Sequence, residues 1–223
     1  MMELEHVSKR CGDIQVIENV SVAVPEGHII GLVGENGVGK TTLLKLLAGI
    51  LHPDEGSIRM DSGKISYLLR EQDLYPWMKV KDTVCYYTDF YPDFRLEQAI
   101  SLLEEAGIEL HRKVKKLSDG NKQRLCLILA VCRQVPYYLL DEPVKSTDPN
   151  FKKDFKKYLL RNLPEKATVI LATHLLKDLE TLFDTVMVMG NRRIKMIEAE
   201  QIRENYNISV GEYCAREMNA MNA

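Results

Sequence analysis

His28-Ile29-Ile30-Gly31-Leu32-Val33-Gly34-Glu35-Asn36-Gly37-Val38-Gly39-Lys40-Thr41-Thr42-Leu43-Leu44 is the stretch that decides the fold. His28 to Val33 is an apolar run that follows the turn Pro25-Glu26-Gly27, and it predicts a buried strand. Gly34 to Thr41 fits G-x-x-x-x-G-K-[ST] at every position. A helix is predicted from about Lys40 to Ala48, stopped by Gly49. Strand, glycine-rich loop and helix together form a phosphate-binding device. The glycines let backbone N–H groups turn inward, and the helix start adds its positive dipole end. Lys40 then supplies a point charge to the β- and γ-phosphates of ATP, and the Thr41 hydroxyl reaches Mg²⁺. The expected nucleotide contacts are Gly34, Glu35, Asn36, Gly37, Val38, Gly39, Lys40, Thr41 and Thr42. A glycine turn with a coincidental lysine is the alternative, and the flanking strand and helix argue against it.

Outward from the loop, a second constellation follows. Tyr137 to Leu140 predicts a strand, and Asp141-Glu142 come directly after it. Carboxylates at the C-terminal end of a strand lie where open α/β sheets bind ligands. Asp141 fits the Mg²⁺-holding carboxylate, and Glu142 fits a general base that polarises the attacking water. A solvated acidic turn, or a cap before Pro143, is the other reading of Glu142.

The rest of the chain frames these two sites. Strands are predicted at Val20 to Val24, Ser57 to Met60, Lys64 to Leu68, Ala167 to Ala172 and Thr185 to Met189. Between about residues 74 and 134 the pattern turns helical, with Val80 to Phe90, Leu96 to Ala106 and Asn121 to Gln134 as helices. A charged helix covers Phe151 to Leu163, another lies near Leu175 to Leu182, and the tail from about 198 reads as short helices. Strands alternating with helices indicate a mainly parallel, covered sheet.

Composition bounds the partners. The chain has 223 residues and a formal net charge of −2, which speaks against nucleic acid. Five cysteines, none in a C-x-x-C pair, suggest reduced thiols in a cytosolic protein. The N-terminal MMELEHVSKR carries no apolar run of a secretory signal. Apolar runs such as Leu125 to Cys132 fall well short of the roughly 20 residues that cross a bilayer.

With both constellations in place, the sequence resembles the ATP-binding subunits of ATP-binding-cassette (ABC) transporters, over about Leu4 to Asn191. The motif specific to that family, LSGGQ, stands here as Leu117-Ser118-Asp119-Gly120-Asn121, followed by Lys122-Gln123-Arg124. Ser118 is a good N-cap, Gly120 permits close backbone approach, and the helix that follows presents free amides to an anion. The resemblance implies an α/β fold: a phosphate-loop NTPase core with a mainly parallel sheet, an N-terminal antiparallel β subdomain and a helical insert, all in one domain over 1–223. It implies an exporter-type, Mg²⁺-dependent ATPase on the cytoplasmic face of a membrane. Ser118 and Gly120 would meet ATP held by a second nucleotide-binding domain in a head-to-tail dimer, whose closure drives a separate membrane-spanning permease. His174 would contact the γ-phosphate, Asp148 would belong to the inter-subunit loop, and aromatics from Tyr75 to Phe94 would receive the permease. An acidic helix start is the plainer reading of Asp148.

Several positions depart from the family pattern. Cys11, in Arg10-Cys11-Gly12-Asp13, replaces an aromatic that stacks on adenine. Arg70 occupies the place of a Mg²⁺-sensing glutamine, a part it cannot play, and Gln72 is the substitute if the loop is shifted. Asp119 and Asn121 replace glycine and glutamine in the signature, with the Asp119 side chain expected to point away. The alternatives to a transporter subunit are a soluble ATPase of the same superfamily and a partner that holds ATP without hydrolysing it. No tandem second cassette and no long heptads are present, which disfavours two branches of the former.

Overall fold

The computed structural model describes residues 1–60, 64–173 and 176–222. Its centre is a six-stranded sheet in the order β5-β6-β7-β3-β8-β9. The strands are β3 (Ile29–Gly34), β5 (Ile65–Tyr67), β6 (Tyr137–Asp141), β7 (Thr168–Ala172), β8 (Thr185–Gly190) and β9 (Arg193–Glu198). All neighbours run parallel except β9, which pairs antiparallel with β8. A second sheet, β2-β1-β4, is antiparallel and built from β1 (Met2–Cys11), β2 (Ile14–Val24) and β4 (Glu55–Met60).

Strand alternation sorts the apolar residues into two cores. Ile30, Leu32, Tyr137, Leu139, Ile170, Ala172, Met187 and Met189 face the antiparallel sheet and helix α1 (Lys40–Leu47). Tyr138, Leu140, Val169, Leu171, Val186 and Val188 face the other way, into the helical insert and the C-terminal helices. The central strands are buried on both faces, so they read as continuous apolar runs.

The insert contains α2 (Val80–Phe90), α3 (Leu96–Glu105) and α4 (Asp119–Val131). Helix α4 is buried at every position from Leu125 to Val131, so it forms the spine of the insert. Arg95 holds its base: one guanidinium nitrogen donates to the Val131 carbonyl at 3.1 Å and to the Asn162 carbonyl at 2.8 Å. It thereby ties α3 to the ends of α4 and of α5 (Pro149–Asn162). A cation at two helix C-termini also opposes their dipoles. A largely buried ion pair, Asp93–Arg133, closes the same corner, with the Arg133 guanidinium 3.7 Å from the centre of the Tyr91 ring.

The two layers and the helical insert match the predicted fold class. Strands β1 and β9 are additions. In β1 the alternation is broken by register shifts, and His6 sits at φ 50°, so no clean period of two reaches the sequence. Strand β2 extends well upstream of the expected Val20–Val24. The helix expected near 175–182 is a short α6 (Leu176–Leu179) and a 3-10 turn at Glu180–Leu182, with Leu175 outside the described residues. The tail holds α7 (Ala199–Tyr206) and α8 (Val210–Asn222), and the second is a full helix rather than a short one. It packs against the core through Val210, Tyr213 and Cys214. All five cysteines are free. Among the described residues no helix is long and apolar enough to cross a membrane.

Asp93→Ala leaves Arg133 buried without its partner. It is expected to cost about 3 kcal/mol and to lower the calorimetric melting temperature by several degrees, whereas exposed Arg59→Ala is expected to change little.

Candidate nucleotide site

The parallel strands end on one edge, and the phosphate loop and the Asp141-Glu142 pair meet there. Strand β7 lies between β6 and β3, with Ala172 level with Asp141 on one side and with Leu32 on the other. The phosphate loop leaves the end of β3, and Asp141-Glu142 leave the end of β6. Thr41, at the start of α1, closes the gap: its hydroxyl donates to Asp141 Oδ2 at 2.6 Å. Two residues a hundred positions apart thus form one oxygen cluster. A hydroxyl and a carboxylate are the hard donors that Mg²⁺ takes.

Gly39 is what lets the loop fit. Its φ is 115°, and a Cβ there would come within 2.3 Å of Val16 Cγ1 and 2.9 Å of Met189 Cε. Any side chain at this position would meet both strain and the wall of the core. Gly39 is also the N-cap of α1 and provides no side-chain cap, so the first amides of the helix remain open to an anion. Glu35, Asn36 and Gly37 are exposed, and the loop is an open surface rather than a closed cavity. Lys40 Nζ donates back across the loop, to the Gly34 carbonyl at 2.7 Å and the Glu35 carbonyl at 2.9 Å. Burial pushes the Lys40 ammonium below its ordinary range, and Glu142 and Asp141 pull the other way. The lysine therefore stands in the field of both carboxylates.

Glu142 adopts φ 47°, a left-handed conformation costly for a residue with a Cβ. Its N–H donates to the Ala172 carbonyl at 2.9 Å, and its carbonyl accepts from Gln123 Nε2 at 2.7 Å. The segment after it is a tight turn in which the Thr147 hydroxyl donates to the Val144 carbonyl at 2.9 Å. Val144 and Thr147 are both buried inside this turn.

The signature lies across the same turn. Ser118 caps α4, its hydroxyl oxygen accepting the Asn121 N–H at 3.3 Å. Asp119 is well exposed and pairs with Lys122 at 2.9 Å. That bond holds its carboxyl below the usual range and leaves part of the charge matched. Asp148 caps α5, accepting the Phe151 N–H at 2.9 Å, and pairs with Arg124 at 2.5 Å. Both partners, the Phe151 amide first, keep its carboxyl ionised below the ordinary range. The plainer reading of Asp148 as a helix start therefore holds in structural terms, alongside its place on the surface beside the signature.

Other expected residues sit apart. Gln72 is exposed in a 3-10 turn, Glu71–Asp73, lining a groove with Asp119, Lys122 and Ser146. Among the described hydrogen bonds it makes none to Thr41 or Asp141. Arg70 is exposed and its Nε lies 3.6 Å from Asp73 Oδ2. His174 lies outside the described residues. Cys11 is exposed, with its sulfur 3.8 Å from the Thr42 hydroxyl, so the Arg10–Asp13 turn does adjoin the phosphate loop. Gln123 and Arg124 carry bonds that join the signature helix to the segment after Glu142. Both stand in the quoted Lys122-Gln123-Arg124, but a polar first turn gives no sign of what it touches.

The sequence profile of the ABC transporter family matches residues 17–145. The chain belongs to that family. An ABC transporter ATP-binding protein of Methanocaldococcus jannaschii, MJ1023, is 34% identical over 193 residues, covering 84% of this chain and 73% of that one. The fold is that of a solved ATP binding subunit of an ABC transporter, with a TM-score of 0.86 at 22% identity over 98% of this chain and 99% of that one. It is also similar to the ATP-binding cassette MJ0796, solved as a dimer in a post-hydrolysis state with ADP and Pi, at a TM-score of 0.74 and 21% identity over 89% and 98%. ATP-binding subunits of ABC transporters hydrolyse ATP, and this chain is an ATPase of that family.

Gly39→Val is expected to abolish ATP binding, measured with a fluorescent ATP analogue, because the side chain would enter the space of Val16 and Met189. Cys11→Tyr is expected to raise ATP affinity several-fold by adding a stacking face.

Proposed function

We propose that this ABC ATPase runs a Mg²⁺-dependent cycle in which two copies, or this chain and a related one, close head to tail around ATP and move a membrane-spanning partner. The Thr41–Asp141 bond beside Lys40 and Glu142 carries the reading. Thr41 and Asp141 would hold Mg²⁺, which would supply positive charge to offset that of the phosphates. Lys40 exchanges its loop carbonyls for phosphate oxygens. Glu142 takes a proton from water as the water oxygen bonds to the γ-phosphorus. The bond to the bridging oxygen breaks, leaving ADP and inorganic phosphate. His174 would align the water, and Gln72 would complete the Mg²⁺ surroundings if its turn moves inward.

The exposed loop supports a dimer on physical grounds. A nucleotide resting on an open surface keeps one side in water, and hydrolysis gains from a wall that excludes bulk solvent. Ser118, Gly120 and the open start of α4 are that wall, offered to the other subunit's nucleotide, and Asp148 lies beside it. ATP favours the closed form, and hydrolysis with phosphate release reopens it.

The partner's docking surface is an aromatic patch on the insert. Trp77 and Phe90 are 66% and 63% exposed, and Tyr75 and Tyr86 join them. Their rings run in sequence, Trp77–Tyr75 at 5.0 Å, Tyr75–Tyr86 at 6.3 Å and Tyr86–Phe90 at 4.4 Å. Tyr87, Tyr91 and Phe94 instead pack inward against the core. A contiguous aromatic face suits an amphipathic coupling helix of a permease. The cassette then sits on the cytoplasmic side of the membrane through that partner, and export is the direction the family resemblance suggests.

Glu142→Gln is expected to lower turnover about 100-fold or more while keeping ATP affinity. Light scattering should find it dimeric with Mg-ATP and monomeric with Mg-ADP; a monomer under saturating Mg-ATP would remove the homodimer. Trp77→Ala with Phe90→Ala should leave basal ATPase unchanged and lose co-purification with the membrane protein. Retained co-purification would place docking elsewhere.

A further inference from the structure

Gln123 is the fifth residue of α4 and is 6% exposed. Its amide is used twice on one segment. Nε2 donates to the Glu142 carbonyl at 2.7 Å, and Oε1 accepts the Ser146 N–H. One side chain therefore bridges both ends of the turn that follows β6. A carbonyl on one side and an N–H on the other fix which end of the amide is which.

The turn needs such a brace. Glu142 is held at φ 47°, and a left-handed residue with a Cβ persists only where its surroundings impose it. The Glu142 N–H is anchored on Ala172, and its carbonyl is anchored on Gln123. The start of α4 also presses on the other end of the turn: a Cβ on Gly120 would lie 2.9 Å from the Ser146 carbonyl. Ser146 is thus seated on α4 through both of its backbone polar groups, one by hydrogen bond and one by close contact.

We propose that Gln123 is a positioning residue for ATP hydrolysis. It fixes the backbone of Glu142, and so the aim of its carboxylate, and couples that aim to the seating of the helix that carries the signature. This rests on the reading of Glu142 as the general base. The outer side of the start of α4 meets the partner's nucleotide, while its inner side holds the backbone of the residue that carries this subunit's own catalytic carboxylate. A shift of α4 on closure moves the Glu142 carbonyl with it, so each ATP site senses the other. A glutamine that merely filled a polar gap would affect stability alone.

The test uses Gln123→Met, which removes both bonds at similar volume, and Gln123→Glu, which keeps the acceptor for Ser146 and loses the donor to Glu142. Steady-state ATPase, affinity for a fluorescent ATP analogue and melting temperature are measured for each, and for Gln123→Met combined with Glu142→Gln. The expected result is at least a tenfold fall in kcat for both single variants, with ATP affinity within about twofold of wild type. The double variant should be no slower than Glu142→Gln alone. Wild-type kcat in either single variant, equal losses of affinity and kcat, an additive loss in the double variant, or failure of both to fold would each overturn the proposal. If Glu142→Gln hydrolyses ATP normally, the general-base reading fails first. If Glu142→Gln is inactive and Gln123→Met turns over normally, only the proposal for Gln123 falls.

Discussion

The hydrogen bond from Thr41 to Asp141 joins two pieces of chain that no local force brings together. One belongs to the helix after β3 and the other to the end of β6, with β7 between the two strands. For the bond to form at 2.6 Å, the three strands must be in register at their C-terminal ends, and α1 must sit close over the sheet. The sheet's parallel pairing supplies the first condition, with Leu32, Ala172 and Asp141 level across it. The apolar core between the two sheets supplies the second, because Leu43, Leu44, Leu46 and Leu47 of α1 are buried there. The phosphate loop is therefore positioned by packing that lies wholly outside it.

A second frame is built on the first. The segment after Asp141 turns sharply at Glu142, is braced by Gln123, and ends at Asp148, which caps α5 and pairs with Arg124. Arg124 also lies over the Phe151 ring, at 4.4 Å from its centre. Consecutive residues of α4 thus hold opposite ends of one segment. The insert is fastened to the catalytic edge through side chains as well as through its buried spine. The start of α4 and the backbone of Glu142 are thus joined through one side chain.

The departures from the family pattern gain a physical account from these contacts. Asp119 spends its charge on Lys122 and solvent. Thr147 is buried in the turn, yet satisfies its hydroxyl on the Val144 carbonyl. Cys11, which offers little surface for stacking, lies beside the Thr42 hydroxyl of α1 at 3.8 Å. Arg70 and Gln72 are both exposed, Arg70 beside Asp73.

What the sequence by itself determined is the chemistry and the class of fold. The phosphate loop, the carboxylate pair and the signature are short runs whose function lies in residue type and spacing, and strand or helix context can be read from apolar periodicity. The buried strands β3, β6, β7 and β8 were legible for that reason. Strand β1 was not, because bulges and a left-handed His6 break its alternation. Nor was the split of the insert's aromatics into an inward and an outward set, since neighbours such as Tyr86 and Tyr87 differ only in which way the helix turns them. Tertiary structure alone decided the strand order, the meeting of Thr41 with Asp141, and the double use of Gln123. Each depends on residues distant in the chain arriving at one point, and a one-dimensional pattern of types carries no distances between them.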